Sequence, residues 1–323
     1  MKTLIPFTLA AALAASGFSH AQTASSKPSG YSTQNLVPNQ FNLVGLTLQN
    51  TSVAAGTFDV VSGNLLTDNQ GSAIAVSGRT YVLEITSGSI AGTIQSLPAS
   101  SITTTTVTTP DNLASMGLAI GDGYLIRLAP TLEEIFGVDA NSSLQRSSIT
   151  TTADIVWVPN GAGSYQKYFV HLATSAFRVA NTTTPAPNIP VIYADGILVQ
   201  KKGTPSSLTL TGEVKTKGTN SAITSGFNLV SVVSPVGATL FNVGLEDDIQ
   251  VSAIPTTADI VWVPRSDGGY DKYFRHSSNN WRVVGTTINL TVDVPLPSAI
   301  FIQKKNSTPA NISLTPPSSY SSL

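Results

Sequence analysis

The sequence contains no cysteine, which excludes a disulfide framework, a Cys-ligated zinc site and a thiol nucleophile. Charged residues make up only 11% of the 323 residues, and the formal net charge is −1. So little charge excludes a polybasic nucleic-acid surface, a coiled coil and a charge-rich disordered chain. Histidine is also scarce, at three residues, so a histidine-based catalytic or metal site would lack ligands. We therefore expect no cofactor, no metal and no nucleic-acid partner.

The start of the chain has the features of an export signal. Lys2 precedes a short apolar run over residues 4–15, and Ser19-His20-Ala21 has an A-x-A-like cleavage pattern. The run is about twelve residues long, whereas a membrane-spanning helix needs roughly twenty. The sequence thus predicts a signal peptide over residues 1–21, cleaved before Gln22, and no transmembrane span after its removal. We expect the mature chain in the periplasm, on the outer surface or outside the cell.

Residues 22–39 form a polar segment that is typical of a flexible lead-in. The rest of the chain has the composition and pattern of a β protein. Runs of four to eight residues rich in Val, Ile, Thr and aromatics alternate with Gly, Pro, Asn and Asp. Evidence for helix is confined to residues 131–137, where Thr131 and Glu134 form a capping-box pattern and Gly137 ends it. The pattern predicts an all-β fold.

An internal repeat is the strongest signal in the sequence. TTADIVWVP occurs at 151–159 and again at 256–264, and 15 of the 21 positions that start there are identical. Upstream, FNLV occurs at 41–44 and at 227–230. FNLV precedes TTADIVWVP by 110 residues in the first copy and by 29 in the second. The first copy therefore carries an insertion of about eighty residues, at roughly 49–130.

Each copy has the elements of a small antiparallel unit. The strand IVWVP ends at a proline, a Gly-containing turn follows, and YxKYF forms the return strand of a hairpin. We predict tandem duplicated antiparallel β-sandwich or partly open barrel units, the first with the long insertion. The predicted boundaries are a first unit at 40–215, a linker at 216–225, a second unit at 226–316 and a tail at 317–323.

Several motifs taken together carry a family resemblance. They are FNLVGLTL, GDGYLIR, TLEEIFG, the doubled TTADIVWVP with its YxKYF strand, the F/W-R-V step and the QKK strand. The chain resembles, over nearly all of its mature length, a paralogous family of exported, mainly β proteins of verrucomicrobial bacteria. The resemblance implies export and a mainly β architecture, but no reaction and no catalytic residue. Phe177 stands where the second copy has Trp281, a departure that counts against identical sites in the two copies.

Signatures of catalysis are missing, since the sequence has no GxSxG, HExxH or Walker A motif. Asp154 and Asp259 precede equivalent strands, and a pair of acids is what a glycosidase needs. The favoured interpretation is that each aspartate caps the turn that enters its strand. Glu84 is expected to face solvent, and Glu246-Asp247-Asp248 lacks EF-hand spacing and is interpreted as a solvated loop.

Histidines and lysines also recur in the two copies. His171 and His276 end equivalent strands on separate units, which favours structural hydrogen bonding over a shared metal site. The pairs Lys201-Lys202 and Lys304-Lys305 are interpreted as guards of edge strands, with anionic-glycan binding as the alternative.

The aromatic residues carry the binding hypothesis, because tyrosine and tryptophan faces stack on sugar rings. The candidate ligand-binding residues are Tyr165, Tyr168, Tyr270, Tyr273 and Trp281. Core packing competes with this role, and it is favoured for Phe169, Phe274, Trp157 and Trp262. The sequence favours an exported, non-catalytic structural or interaction protein of the bacterial envelope or surface. The alternative is a carbohydrate-binding module, with a glycoside hydrolase third, and the expected partners are polysaccharide or other envelope proteins.

Overall fold

The computed structural model describes residues 27–71, 76–160 and 164–323. The predicted signal peptide and its cleavage site lie outside these ranges. The described residues form antiparallel β-sheets joined by turns and a few short helices, which confirms the predicted all-β class.

Twenty-one strands and two α-helices are described, in the following order along the chain. The chain enters through β1 (Ser29–Leu36) and β2 (Gln40–Val44). The insertion holds β3 (Ser52–Thr57), β4 (Val60–Ser62), β5 (Leu65–Thr67), β6 (Thr80–Ile85), β7 (Ile94–Pro98), β8 (Thr106–Thr108), α1 (Leu113–Met116) and β9 (Gly123–Leu128). The first repeat continues with α2 (Leu132–Phe136), β10 (Ile155–Pro159), β11 (Tyr165–His171), β12 (Ala176–Val179), β13 (Ile197–Lys201) and β14 (Ser206–Glu213). The second repeat holds β15 (Thr219–Ile223), β16 (Gly226–Ser231), β17 (Ile260–Pro264), β18 (Tyr270–Arg275), β19 (Trp281–Val283), β20 (Ala299–Lys304) and β21 (Ala310–Leu314). Three 3-10 turns lie at Ala99–Ser101, Leu245–Asp247 and Ser318–Ser322.

Both repeats build the same five-stranded sheet. In the first the strand order is β12-β11-β10-β13-β2, and in the second it is β19-β18-β17-β20-β16. All neighbours are antiparallel, and the hairpin predicted for IVWVP and YxKYF is present in both copies. The FNLV strand lies at one edge of each sheet, next to the QKK strand.

Each repeat adds a two-stranded sheet that the sequence pattern does not predict. Strand β1 pairs with β14, and β15 pairs with β21. The expected flexible lead-in at 22–39 and the expected linker at 216–225 therefore contribute strands over Ser29–Leu36 and Thr219–Ile223. Their short alternating pattern is dominated by Ser, Thr and Asn, so it lacks the apolar content by which the other strands were recognised.

One contiguous core joins the two repeats. Alternation along β10 turns Val156 and Val158 to this core and Trp157 to the opposite face, and β17 repeats the arrangement. Phe177 of the first repeat and Trp281 of the second lie in the same core cluster. We call the core-facing side of each five-stranded sheet its inner face and the other side its outer face.

The backbones of the repeats meet directly at a seam. The N–H of Gly196 donates to the carbonyl of Leu229 at 3.2 Å, and the N–H of Ser231 donates to the carbonyl of Ala194 at 2.9 Å. Nearby, a Cβ on Gly45 would lie 1.7 Å from the carbonyl oxygen of Ser298, so only glycine permits this approach. The seam holds the outer faces of the two sheets next to each other.

The insertion forms two sheets of its own, ordered β3-β9-β6-β7 and β4-β5-β8, around a separate core. Buried ion pairs fasten it to the first repeat. Lys215 pairs with Glu84, and Arg127 pairs with Glu213. Glu84 is buried, so the expectation that it faces solvent is wrong. Lys215, which lies in the loop after β14 and 131 residues along the chain, neutralises its charge.

Helix α2 has the predicted cap. The Thr131 hydroxyl accepts a hydrogen bond from the Glu134 N–H, and the Glu134 carboxylate accepts one from the Thr131 N–H. Gly137 follows as the predicted terminator. Within the described ranges, no helix has the length and apolarity needed to cross a membrane.

Candidate functional site

The outer face of each sheet carries a cluster of aromatic residues around one tryptophan. The first outer-face cluster consists of Phe41, Trp157, Tyr165 and Lys167, and the second consists of Phe227, Trp262, Tyr270, Phe301 and Lys272. The shared members come from corresponding strands, because FNLV, IVWVP and YxKYF occur in both repeats, whereas Phe301 stands where the first repeat has Leu198. The duplication has thus produced two copies of one surface.

Ring geometry is nearly the same in the two clusters. Phe41 meets Trp157 edge to face at a centroid distance of 5.5 Å, and Phe227 meets Trp262 at 5.2 Å. The ammonium nitrogen of Lys167 lies 3.9 Å from the Trp157 ring centroid, the same distance that separates Lys272 from Trp262. These are favourable aromatic and cation–π contacts.

The phenylalanine at the edge of each cluster is open to solvent. Phe41 is 43% exposed and Phe227 is 51% exposed. Trp157 and Trp262 are only half-buried, so the prediction that they are core residues is wrong. A lysine covers the face of each indole, which leaves the phenylalanine and tyrosine rings as the accessible contact surface.

The five candidate ligand-binding residues divide between the two faces. Tyr165 and Tyr270 lie in the outer-face clusters and are half-buried. Tyr168 lies on the inner face and packs against the core. Tyr273 is 7% exposed and Trp281 is 3% exposed, so neither offers a ring face to a ligand. The structure removes Tyr273 and Trp281 from the candidate site, because strand alternation turns them into the shared core.

A cleft of about 290 Å³ lies where the two outer-face clusters approach each other. Tyr165 of the first cluster and Phe227 of the second both line it, together with Asp195. Leu198, Leu229 and Ala299 form a small apolar cluster beside these rings and connect the two surfaces. The two repeats therefore contribute aromatic rings to one cleft, with an apolar cluster between them.

Asp195 is the acidic group of this cleft. Its side chain is partly buried and accepts no hydrogen bond from any residue in the described ranges. Burial raises the pKa of the Asp195 carboxyl to about 6. Burial also raises the pKa of Tyr165, and the negative charge of Asp195 adds to that rise. Asp195 and Tyr165 are the two ionisable side chains among the described residues that line the cleft.

Asp154 and Asp259 have a structural role. Both are fully buried, and Asp154 accepts hydrogen bonds from the N–H groups of Gln145, Lys202 and Gly203. Asp259 accepts the equivalent bonds from Gln250 and Lys305. These aspartates tie distant segments together, which differs from the predicted capping of their own turns. Acid/base chemistry on a bound glycan needs an accessible carboxyl group, and these two are enclosed.

The interpretation of the lysine pairs as guards of edge strands is wrong. Lys201 and Lys304 are buried on central strands β13 and β20, where they face Asp154 and Asp259. Lys202 donates to the carbonyls of Thr150 and Thr151. Anionic-glycan binding by the buried pair members is excluded by their enclosure.

The histidines make local hydrogen bonds, as predicted. His171 Nδ1 lies 3.2 Å from the Thr174 hydroxyl, and His276 Nδ1 lies 2.8 Å from the Ser278 hydroxyl. The loop at 246–248, interpreted from sequence as solvated, is held to strand β21 by a hydrogen bond. Asp248 accepts it from the Ser313 N–H at 2.5 Å. Within the part of the chain that is described, no three His, Asp or Glu side chains gather in a way that could hold a metal ion.

Sequence reasoning missed Phe41, Phe227 and Asp195. The phenylalanines begin the repeated FNLV strand, so their recurrence was a usable signal. Asp195 had no such signal, because its position in the cleft depends on how the two repeats meet.

Comparisons with known protein families, with curated proteins and with solved structures find no match to this chain.

Proposed function

We propose that the chain is an exported, non-catalytic interaction protein of the bacterial envelope or surface that binds polysaccharide through its two outer-face clusters. The observation that carries this proposal is the duplicated cluster, with Phe41 at 43% exposure and Phe227 at 51% exposure in corresponding positions. A phenylalanine needed only for folding gains more from burial than from this degree of exposure.

Polysaccharide suits this surface for a physical reason. The C–H faces of a sugar ring pack against an aromatic face, and a tyrosine hydroxyl adds a hydrogen bond at the rim. Tyr165 and Tyr270 each stand beside their tryptophan with ring centroids about 6 Å apart. Two clusters joined by one contiguous core engage one long chain twice, which multiplies a weak single-site affinity through effective concentration.

Export is supported by the N-terminal sequence and by the lack of cysteine, and the resemblance to the verrucomicrobial family favours the same location. The low charge also suits a protein that is exposed to variable ionic conditions, because aromatic stacking is weakly screened by salt. We place the mature chain in the periplasm, on the outer surface or outside the cell.

A second candidate is a structural role, in which the same outer faces pack against another envelope protein. The exposed Phe227 and Phe41 rings favour it, since contiguous exposed apolar surface often marks protein contacts. The two candidates differ in ligand and not in the surface that is used.

Binding isotherms of the mature protein on a panel of insoluble and soluble polysaccharides test the proposal, in low and in high salt. We expect saturable binding to at least one polysaccharide that changes less than about twofold with salt. Failure to bind any of the panel, with the fold intact, would contradict the polysaccharide proposal and leave the structural role. Turnover of a glycan would contradict the non-catalytic part.

A further inference from the structure

The two repeats differ at one position of the seam. The sequences GILVQKK and AIFIQKK align Asp195 with Ser298. The Ser298 hydroxyl donates to the Gln34 side-chain carbonyl at 2.6 Å and accepts from the Gly45 N–H at 3.2 Å. Asp195 has the corresponding place in the first repeat, but no described residue donates to its carboxylate.

An unpaired carboxylate at this place is costly. A partly buried charge without a hydrogen-bond donor or counter-charge from the protein loses part of its hydration. The second repeat has a serine at the same position, and its hydroxyl is hydrogen-bonded. The fold itself therefore does not require an acid there. The cost points to a ligand that supplies the missing donor.

The residues that line the cleft indicate the chemical class of that ligand. Tyr165 and Phe227 bring aromatic rings from opposite repeats to the same cleft, and a cationic group is attracted to such rings. No basic side chain lies among the described residues that line the cleft. The combination of a carboxylate and two rings is complementary to an ammonium group.

We propose that the inter-repeat cleft binds the protonated primary amine of an amino sugar, with Asp195 as the acceptor and Tyr165 and Phe227 as the flanking rings. This inference rests on the proposed function, because it names the sugar class that the aromatic surface recognises. The ammonium donates hydrogen bonds to the carboxylate, while the sugar ring extends along the outer-face clusters. The cleft volume of about 290 Å³ is of the size expected for a small ligand group.

Three β-1,4-linked hexamers of the same backbone test this, namely glucosamine, N-acetylglucosamine and glucose hexamers. Calorimetric titration near neutral pH compares the mature wild type with Asp195→Asn and with Asp195→Ser, which copies the second repeat. Asp139→Asn is the charge-matched control, because Asp139 is exposed and lies outside the cleft. Thermal unfolding of every variant verifies the fold.

We expect the wild type to bind the glucosamine hexamer at least tenfold more tightly than either of the other hexamers. Asp195→Asn and Asp195→Ser should lose that preference, and Asp139→Asn should keep it. A preference that survives in both Asp195 variants overturns the inference, as does equal binding of the three hexamers. Equal binding that is lost on Phe227→Ala leaves the proposed function standing without the amine site. No binding of any hexamer by the folded wild type overturns the inference, and the polysaccharide panel then decides the proposed function separately.

Discussion

In the first repeat, the Lys201 ammonium nitrogen lies 2.6 Å from Oδ2 of Asp154, and both side chains are almost fully buried. The pair joins strand β13 to the residue that precedes β10. The second repeat keeps both residue types, with Lys304 and Asp259 at 3.9 Å. A buried pair that is retained through a duplication marks a contact on which each unit depends for its packing.

Removing the lysine from the first pair should strongly destabilise the protein. Lys201→Met leaves the buried Asp154 carboxyl without its counter-charge, and we expect a loss of about 3–5 kcal/mol in the free energy of unfolding. The adjacent Lys202→Met is the matched control and should cost less than about 1 kcal/mol, because Lys202 only donates to two carbonyls near the surface. Chemical denaturation measures both. Equal losses in the two variants would contradict the assigned roles.

The core position that differs between repeats should tolerate exchange but not truncation. Phe177 and Trp281 are both buried, so Phe177→Ala and Trp281→Ala should each cost about 3–5 kcal/mol. Trp281→Phe copies the first repeat and should cost less than the alanine variant. Denaturation curves test the stability, and a Trp281→Ala variant as stable as wild type would show that the residue is outside the core.

Asp195 gives stability an unusual pH dependence. Its pKa is raised to about 6 in the folded protein, so the folded state binds the proton more tightly than the unfolded chain does. The contribution of Asp195 to stability is therefore full below about pH 4 and is lost as the pH rises through about 6. Asp195→Asn should remove this loss and stabilise the protein near neutral pH by roughly 1–3 kcal/mol.

Unfolding measured from about pH 4 to pH 8 checks this, with Asp139→Asn as the control for a general charge effect. A wild-type minus Asp195→Asn difference that stays constant across this range would show that the carboxyl group has a partner after all.

The insertion should depend on the ion pair between Lys215 and Glu84. Burial lowers the pKa of Lys215, while the Glu84 charge opposes that shift. Lys215→Met leaves the buried Glu84 carboxylate with the Tyr193 hydroxyl, at 3.1 Å, as its one side-chain donor among the described residues, and should cost about 3 kcal/mol. The double variant Lys215→Met/Glu84→Leu should recover most of the loss. Native-state hydrogen exchange of strands β6 and β9 would report where the protein loosens, and an additive double variant would contradict a direct pair.

Strand periodicity and the repeat made much of this fold predictable. The apolar strands, both hairpins and the cap at Thr131 follow from local rules that the sequence displays. Lys201 and Glu84 could not be placed in this way, because each charge is neutralised by a residue far along the chain. Strand β1 could not be predicted because its polar side chains lack an apolar strand pattern. It forms through its pairing with β14.

Part of the candidate site was also within reach of sequence reasoning. Tyr165 and Lys167 share one face of their strand and Tyr168 lies on the other, so alternation alone separates the outer-face tyrosine from the core-facing one. The same rule pairs Tyr270 with Lys272 and turns Tyr273 inward. Asp195 was beyond reach, because the cleft exists only where the two repeats meet.

The role of the outer-face clusters in binding is tested with the polysaccharide that the panel identifies, by comparing the affinities of Tyr165→Ala/Tyr270→Ala and Tyr168→Phe. Tyr168 lies in the same strand as Tyr165 but faces the core, so its variant controls for changes to the strand. We expect the double outer-face variant to lose at least tenfold in affinity while remaining folded, and Tyr168→Phe to bind like the wild type. Unchanged affinity in the folded double variant would contradict the claim that the outer-face clusters form the binding surface.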